Sequence, residues 1–309
     1  MQALFEKFYN KKKVLVTGGA GFIGSRLVKT LVNLNVDVSV FVADNVCSGK
    51  IDNLKNVLHK IKYLNCDLND LACLQKLFEH NFDVVFHLAA VSSVPQANEN
   101  QDLCFKTNVS MLENMANILK QKHISPTVVF SSSSAVYGET SNQCDENSPC
   151  NPSSIYAQSK KQGEDILQDL SASFGVTIFA LRYFNVFDKD ESKRYPSLCA
   201  ILRKKLLAGE DIPVFGTGQQ TRDFVNLEQI IEANLLAGTQ SNKQFNVLNV
   251  ASGKSVSVLD VVNLLKTELG VVNANLKFLP PRQGDVLCSS ASVEKFTKFK
   301  QNILDLAGV

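Results

Sequence analysis

Residues 16–25 read VTGGAGFIGS, a glycine-studded turn between the apolar strand KVLVT (13–17) and a helical pattern that begins at Phe22. Few stretches constrain a fold as strongly. A strand that turns at once into a helix leads naturally into a strand–helix–strand unit and a parallel sheet. Gly18, Gly21 and Gly24 fall at three-residue steps. Glycines so placed let the backbone turn tightly and approach a pyrophosphate, which the amides of the following helix attract. Phe22 and Ile23, in that helix's first turn, would lie against the same phosphates. The order G-x-x-G-x-x-G is a variant of G-x-G-x-x-G, and a glycine turn needed only for packing would look the same.

Further along, apolar runs alternate with helical patterns. The strand candidates are 13–18, 36–44, 61–67, 82–90, 126–133 and 175–184; helical patterns occupy 22–34, 102–122 and 155–173. Strands apolar throughout are buried on both faces, so the expected fold is α/β, a Rossmann-type doubly wound parallel sheet. After residue 184 the rhythm changes. A charged loop (DKDESKRYP) precedes a helix at SLCAILRKKLLAGE and short strands around the glycines of IPVFGTGQQTRDFV. A strand QFNVLNVAS follows, then a helix expected to open on Ser257 and Asp260 as a capping pair and to end on Gly270. The expectation is a large lobe, 1–184 with 225–250, interleaved with a smaller α+β substrate-binding lobe, 185–309.

A formal net charge of +2 gives no electrostatic reason to expect a nucleic acid or an anionic membrane as partner. The run Lys11–Lys13 reads as a solvated strand entrance. The first residues lack the apolar core of a secretory signal and no apolar run reaches membrane-spanning length, so a soluble, cytoplasmic chain is expected. Its eight cysteines show no Cys-x-x-Cys and no metal-ligand spacing. In that compartment free thiols are the expectation, with Cys144 and Cys150 the one pair that a polar loop brings near.

Chemistry-bearing residues collect where strands end, the place where open α/β sheets bind ligands. Asp44 and Asn45 close the second strand, where a carboxylate can accept from ribose hydroxyls and repel the 2′-phosphate of NADP. Asp67 and Leu68, after the third strand, would meet the adenine edge. SSSSAVYG (131–138) ends the fifth strand with hydroxyls facing the same crevice, although four serines can also be a plain polar loop. Tyr156 and Lys160, at i and i+4, share one face if 155–173 is helical. Such a pair can be an ordinary solvated one. It can also be a proton-transfer pair, in which case the phenol, near ~10 by default, needs lowering by about 2–3 units, roughly 3–4 kcal/mol.

TGGAGFIG, Asp44, Asp67, HLAAVSSVP, SSSSAVYG, YAQSK, LRYFNVF, TRDF and RQGD occur in an order and spacing that resembles the extended short-chain dehydrogenases/reductases, and within them the UDP-hexose 4-epimerases. The resemblance runs from about residue 12 to 297. It implies that Tyr156 is the acid/base, that Lys160 binds the nicotinamide ribose and lowers the tyrosine pKa, and that Ser133 hydrogen-bonds the sugar hydroxyl. NAD would take the C4 hydride as Tyr156 takes the hydroxyl proton; the 4-keto sugar would turn over and the hydride return to its other face. Ala89 and Asn108 would line the cofactor crevice, and His87 is expected to be a structural strand-end residue. Asn185, Arg222 and Arg282 would hold the diphosphate and nucleotide. The 1–184 lobe would then hold NAD and the 185–309 lobe the UDP-sugar.

Ser289, four residues after the aspartate of RQGD, occupies the position that controls room beside the sugar's C2 substituent; a small residue there implies that UDP-GlcNAc and UDP-GalNAc fit. Homodimers, through helices 102–122 and 155–173, are also implied. Departures from the family pattern are Asp188 in place of a glycine, a shortened loop after it, Ser292 in place of an aspartate, and an end at Val309 that implies little C-terminal helix. A UDP-glucuronate 4-epimerase or another nucleotide-sugar reductase fits the same motifs. A dehydratase fits less well, because no acidic residue follows the serines. A non-catalytic dinucleotide scaffold is disfavoured by the intact Ser133, Tyr156 and Lys160.

Overall fold

The structure, a computed structural model, describes residues 1–140, 142–188, 197–281 and 286–308. The expectations for Arg282 and for the loop after Asp188 lie outside the described residues. The chain opens on α1 (Gln2–Tyr9), then runs β1 (Lys13–Thr17), α2 (Phe22–Val32), β2 (Ser39–Asp44), β3 (Ile61–Asn65), α3 (Leu71–Leu77) and β4 (Val84–His87). Next come α4 (Val94–Glu99), α5 (Gln101–Phe105), α6 (Met111–Lys122), β5 (Thr127–Ser133), α7 (Ile155–Phe174), β6 (Ile178–Tyr183) and β7 (Asn185–Phe187). The remainder comprises α8 (Leu198–Ala208), β8 (Ile212–Phe215), β9 (Thr221–Asn226), α9 (Leu227–Gly238), β10 (Phe245–Val250), β11 (Ser255–Ser257), α10 (Val258–Leu269), β12 (Leu276–Leu279) and α11 (Glu294–Ala307).

Seven strands form one sheet in the order β10-β6-β5-β4-β1-β2-β3, every neighbouring pair parallel. This is the Rossmann-type doubly wound sheet. Its order reverses between β1 and β4, so a crevice opens beyond their carboxyl ends. Alternation explains why the strands read as unbroken apolar runs. Val14 and Val16 join one core with α2 and α9, while Leu15 between them joins the other with α3, α6 and α7. Each such side chain, fully withdrawn from water, contributes roughly 1.5–3 kcal/mol.

The later strands make two small sheets, β11-β9-β7 and β12-β8. Leu202 and Leu206 of α8 pack there against Val261, Val262 and Leu265 of α10. The Ser257–Asp260 capping box is present, and Gly270 ends α10 in the left-handed conformation at φ 67°. β10, between β9 and β11 in sequence, returns to the edge of the large sheet beside β6.

Three findings depart from the sequence reading. First, the 102–122 pattern is no single α-helix: residues 106–110 make a π-helical turn between α5 and α6. Second, 294–307 is a helix despite the short C-terminus; Phe299 sits 5.3 Å from Phe179 of β6, and Ile303 is buried. Third, Cys66 and Cys73 form a disulfide, whereas Cys144 and Cys150 are both free. Asp70 caps α3 by accepting from the Ala72 amide, and this reversal brings the two Cα atoms to 6.1 Å, within bridging distance. No helix among the described residues is long and apolar enough to cross a membrane.

Candidate active site

The glycine turn is fixed by its surroundings. Gly18 has φ 67°, and a Cβ there would stand 2.7 Å from the Ala89 amide nitrogen, so the ends of β1 and β4 can meet only through a glycine. A Cβ on Gly24 would come within 2.2 Å of the Gly18 carbonyl oxygen, so α2 could not close on the turn. Thr17 reinforces this junction. Its hydroxyl accepts from the Leu88 and Ala89 amides, each at 3.2 Å, and shares a hydrogen bond with His87 Nδ1 at 3.1 Å. Burial, with the Lys160 charge nearby, pushes the His87 pKa down to about 3. The sequence led one to expect a structural strand-end residue there, and His87 is buried at the end of β4.

α2 starts on Gly21, and no side chain among the described residues caps it. An anion placed there meets the positive end of the helix and its backbone donors. Asp44, buried at the end of β2, accepts from Ala20 N through one oxygen and from Val46 N through the other, both at 2.8 Å. Each oxygen keeps acceptor capacity for a hydroxyl. Asn45 accepts from the Cys47 amide, and Asp67 accepts from the backbone and side chain of Asn69 in an exposed turn. Leu68, buried beside it, belongs to the same short loop, which the disulfide closes.

Asn108 lies in the π-helical turn. Its Oδ1 accepts from Val91 N at 2.8 Å, and its Nδ2 donates to Val91 O at 3.0 Å and Ser159 Oγ at 2.9 Å. It therefore ties the loop after β4 to α7, one residue before Lys160. The π turn makes this reach possible, a common use of such bulges.

Ser154 caps α7, accepting from the Ala157 amide at 3.2 Å, so Tyr156 and Lys160 stand in its first turns. Their spacing puts both on the face turned toward β5. Lys160 is 3% exposed; its Nζ donates to the Ser131 carbonyl at 2.8 Å and stands 5.9 Å from the centre of the Tyr156 ring. Burial pushes the Lys160 pKa down to about 8, opposed electrostatically by Cys104 and Glu164. Ser133 Oγ accepts from Ala135 N at 3.2 Å, which leaves its hydroxyl hydrogen free to donate elsewhere.

Ser133 borders a cleft of about 220 Å³ that also includes Asn185, Arg222 and Ser289. Ser153 and Ser154, which lead into α7, line it as well. Asn185 and Arg222 meet there because β7 and β9 pair in parallel, Asn185 opposite Phe224, one residue from Asp223. Asp223, wholly buried, takes three hydrogen bonds: from Ser252 N at 2.8 Å, Ser252 Oγ at 2.7 Å and Gly253 N at 2.9 Å. That fastens β9 to the turn after β10 of the large sheet. Ser289 is pinned to β9 through its amide on Thr221 O at 3.1 Å.

The sequence reading missed Thr17, Asp223, Glu164 and Tyr137, the last a wall of the cleft. A signal existed for one of them: Glu164 follows Lys160 by four residues, as Lys160 follows Tyr156. The other three have no spacing that separates them from ordinary strand and turn residues.

Residues 14–251 match the NAD dependent epimerase/dehydratase family. The chain is 34% identical over 275 residues to a putative UDP-glucose 4-epimerase of Methanocaldococcus jannaschii, spanning 88% of this chain and 87% of that protein. Among solved structures, the UDP-N-acetylglucosamine 4-epimerase of Methanobrevibacter ruminantium, in complex with UDP-N-acetylmuramic acid, is 35% identical with a TM-score of 0.84, covering 93% and 91% of the two chains. The UDP-glucose 4-epimerase of Thermus thermophilus, in complex with NAD, is 30% identical, again with a TM-score of 0.84 and 93% coverage of each.

Proposed function

The chain belongs to the NAD dependent epimerase/dehydratase family, and from that premise we propose that it is an NAD-dependent 4-epimerase of UDP-hexoses that accepts N-acetylated sugars. The observation that carries this reading is the meeting of Ser133, Asn185, Arg222 and Ser289 around one cleft; Ser153 and Ser154, just before α7, line it too, while Tyr156 and Lys160 are not among its lining residues.

The cofactor side suits NAD. The uncapped start of α2 fits a pyrophosphate, Asp44 fits a pair of ribose hydroxyls and would repel a 2′-phosphate, and Asp67 with Leu68 fits the adenine side. NAD, when bound, accepts a hydride and gives it back. The chain's own residues handle the proton and the sugar. Tyr156, as phenolate, takes the proton of the C4 hydroxyl and later returns it. Lys160, 5.9 Å from its ring, stabilises the phenolate and offers donors to a ribose. Ser133 donates to the C4 oxygen. The phenol thus serves first as base and then as acid, and the 4-keto sugar can accept hydride on either face once it has turned.

On the other side, Asn185 and Arg222 suit the diphosphate. A guanidinium makes the planar, paired contact that phosphate oxygens prefer. Ser289 leaves room for an acetamido group at C2. The same reading makes 1–184 with 225–250 the NAD lobe and 185–309 the nucleotide-sugar lobe. It also makes the protein a homodimer through α5, α6 and α7, which sedimentation velocity would test.

The decisive experiment is incubation with NAD and a panel of UDP-glucose, UDP-galactose, UDP-GlcNAc, UDP-GalNAc and UDP-glucuronate, followed by proton NMR of the sugars. C4 inversion of the acetamido pair is expected. Inversion of none of the five would overturn the epimerase reading, and inversion of the glucuronate alone would replace the sugar.

A further inference from the structure

Tyr156, Lys160 and Glu164 stand at i, i+4 and i+8 on one face of α7, and that face ends in a buried ion pair. Glu164, 3% exposed, takes both forks of the Arg182 guanidinium, Nε at 2.9 Å and Nη2 at 2.7 Å. The Ser132 hydroxyl donates to the same carboxylate at 2.5 Å. Three consecutive β5 residues are thus divided among three tasks: Ser131 holds Lys160 by its carbonyl, Ser132 holds Glu164 by its hydroxyl, and Ser133 faces the cleft. Arg182 lies 4.7 Å over the ring of Tyr137, another wall of the cleft, whose hydroxyl donates to Asn249 at 2.6 Å.

Stability alone does not account for the pair. Buried ion pairs are often matched or beaten by apolar residues of the same volume. This one also leaves Arg182 Nη1 buried without a hydrogen-bond partner among the described residues. Its position explains what the fold gains.

We propose that Glu164 and Arg182 form a positioning pair for the Tyr156–Lys160 face: Glu164 fastens α7 to β5 at Ser132 and lends Lys160 a compensating negative charge, while Arg182 keeps Glu164 ionised and fixed. The role rests on the reading of Tyr156 as the acid/base. The titratable groups around the Lys160 ammonium are His87 of β4, Cys104 of α5, and Tyr156 and Glu164 of its own helix. Of these, Glu164 is the one held as an anion by a dedicated cation. Without it, a buried ammonium with a single carbonyl partner loses its proton more readily, and the phenolate loses its cation.

The test reads Lys160 itself. In nitrogen-15 lysine-labelled protein, the Lys160 side-chain resonance is identified by its absence from Lys160→Arg and titrated against pH. Glu164→Gln is expected to lower its midpoint by about one pH unit, and Arg182→Gln to lower it too, because Glu164 then loses the cation that keeps it ionised. Unmoved midpoints, or a rise in either variant, overturn the proposal. If neither single variant folds, the double variant Glu164→Leu/Arg182→Met, which buries no unpaired charge, decides it. Loss of turnover by about tenfold or more at unchanged KM supports positioning, and wild-type kinetics overturn it. A wild-type protein that epimerises no UDP-sugar refutes the epimerase reading while the titration still judges the pair.

Discussion

The Lys160 ammonium sits 5.9 Å from the centre of the Tyr156 ring, and its one direct hydrogen bond among the described residues goes to the carbonyl of Ser131. On the reading of Tyr156 as the acid/base, a cation so close, with so little water to screen it, is placed to stabilise a phenolate during turnover. Tyr156→Phe removes the hydroxyl proposed to take the proton and leaves the ring. Turnover of UDP-sugar should fall by about 10²–10⁴-fold, measured by proton NMR of the sugar. Retained turnover would assign the base elsewhere.

The same burial makes Lys160 a liability at neutral pH. Its folded pKa of about 8 lies below the ordinary 10.5. The unfolded chain binds that proton more tightly, so the folded state carries the penalty in full below about pH 8 and is relieved of it as pH rises toward 10.5. Lys160→Met should therefore stabilise the fold at pH 7, by up to about 3 kcal/mol, and this gain should shrink to nothing as pH 10.5 is approached. Urea unfolding of both proteins at several pH values measures it. A gain that does not shrink with pH would mean that packing, not charge, sets the difference.

Ser289 tests the substrate. On the proposed placement of Ser289 beside the sugar's C2, Ser289→Tyr fills that space, so UDP-GlcNAc and UDP-GalNAc should lose kcat/KM by about a hundredfold or more while UDP-glucose and UDP-galactose lose little. Equal loss on both classes would refute the gate.

Asp223 tests how the cleft is held. Its carboxylate receives three donors from Ser252 and Gly253. Asp223→Asn turns an N–H toward at least one of them, at a cost of roughly 2–3 kcal/mol in stability. Because Arg222 and Asn185 are both placed through this strand, KM for UDP-sugar should rise by about tenfold with a smaller change in kcat. A variant with wild-type KM would show that β9 keeps its place by other means.

What could be read from the sequence divides along physical lines. Gly18 and Gly24 were legible because backbone contact at roughly 2–3 Å demands glycine, and the demand leaves a spacing. That Tyr156 and Lys160 share a face was legible because a helix places i and i+4 together, whereas their proposed role came from the family resemblance. The Cys66–Cys73 bridge was not, because it depends on how sharply the chain reverses at Asp70. Asp223 was not, because its donors come from a turn nearly thirty residues later. At the C-terminus, Phe296, Phe299 and Ile303 carried the spacing of an apolar helical face, and that local signal outweighed the inference drawn from the family's usual ending.

The π turn at 106–110 acts as a phase shift in a gear train. One extra residue in the winding turns everything before it by about 100° relative to everything after it. α6 can therefore aim Met111, Leu112 and Met115 into the core while Cys104 of α5 still meets Ser159, the residue before Lys160. A helix wound evenly from 101 to 122 could mesh with one of those neighbours and not the other.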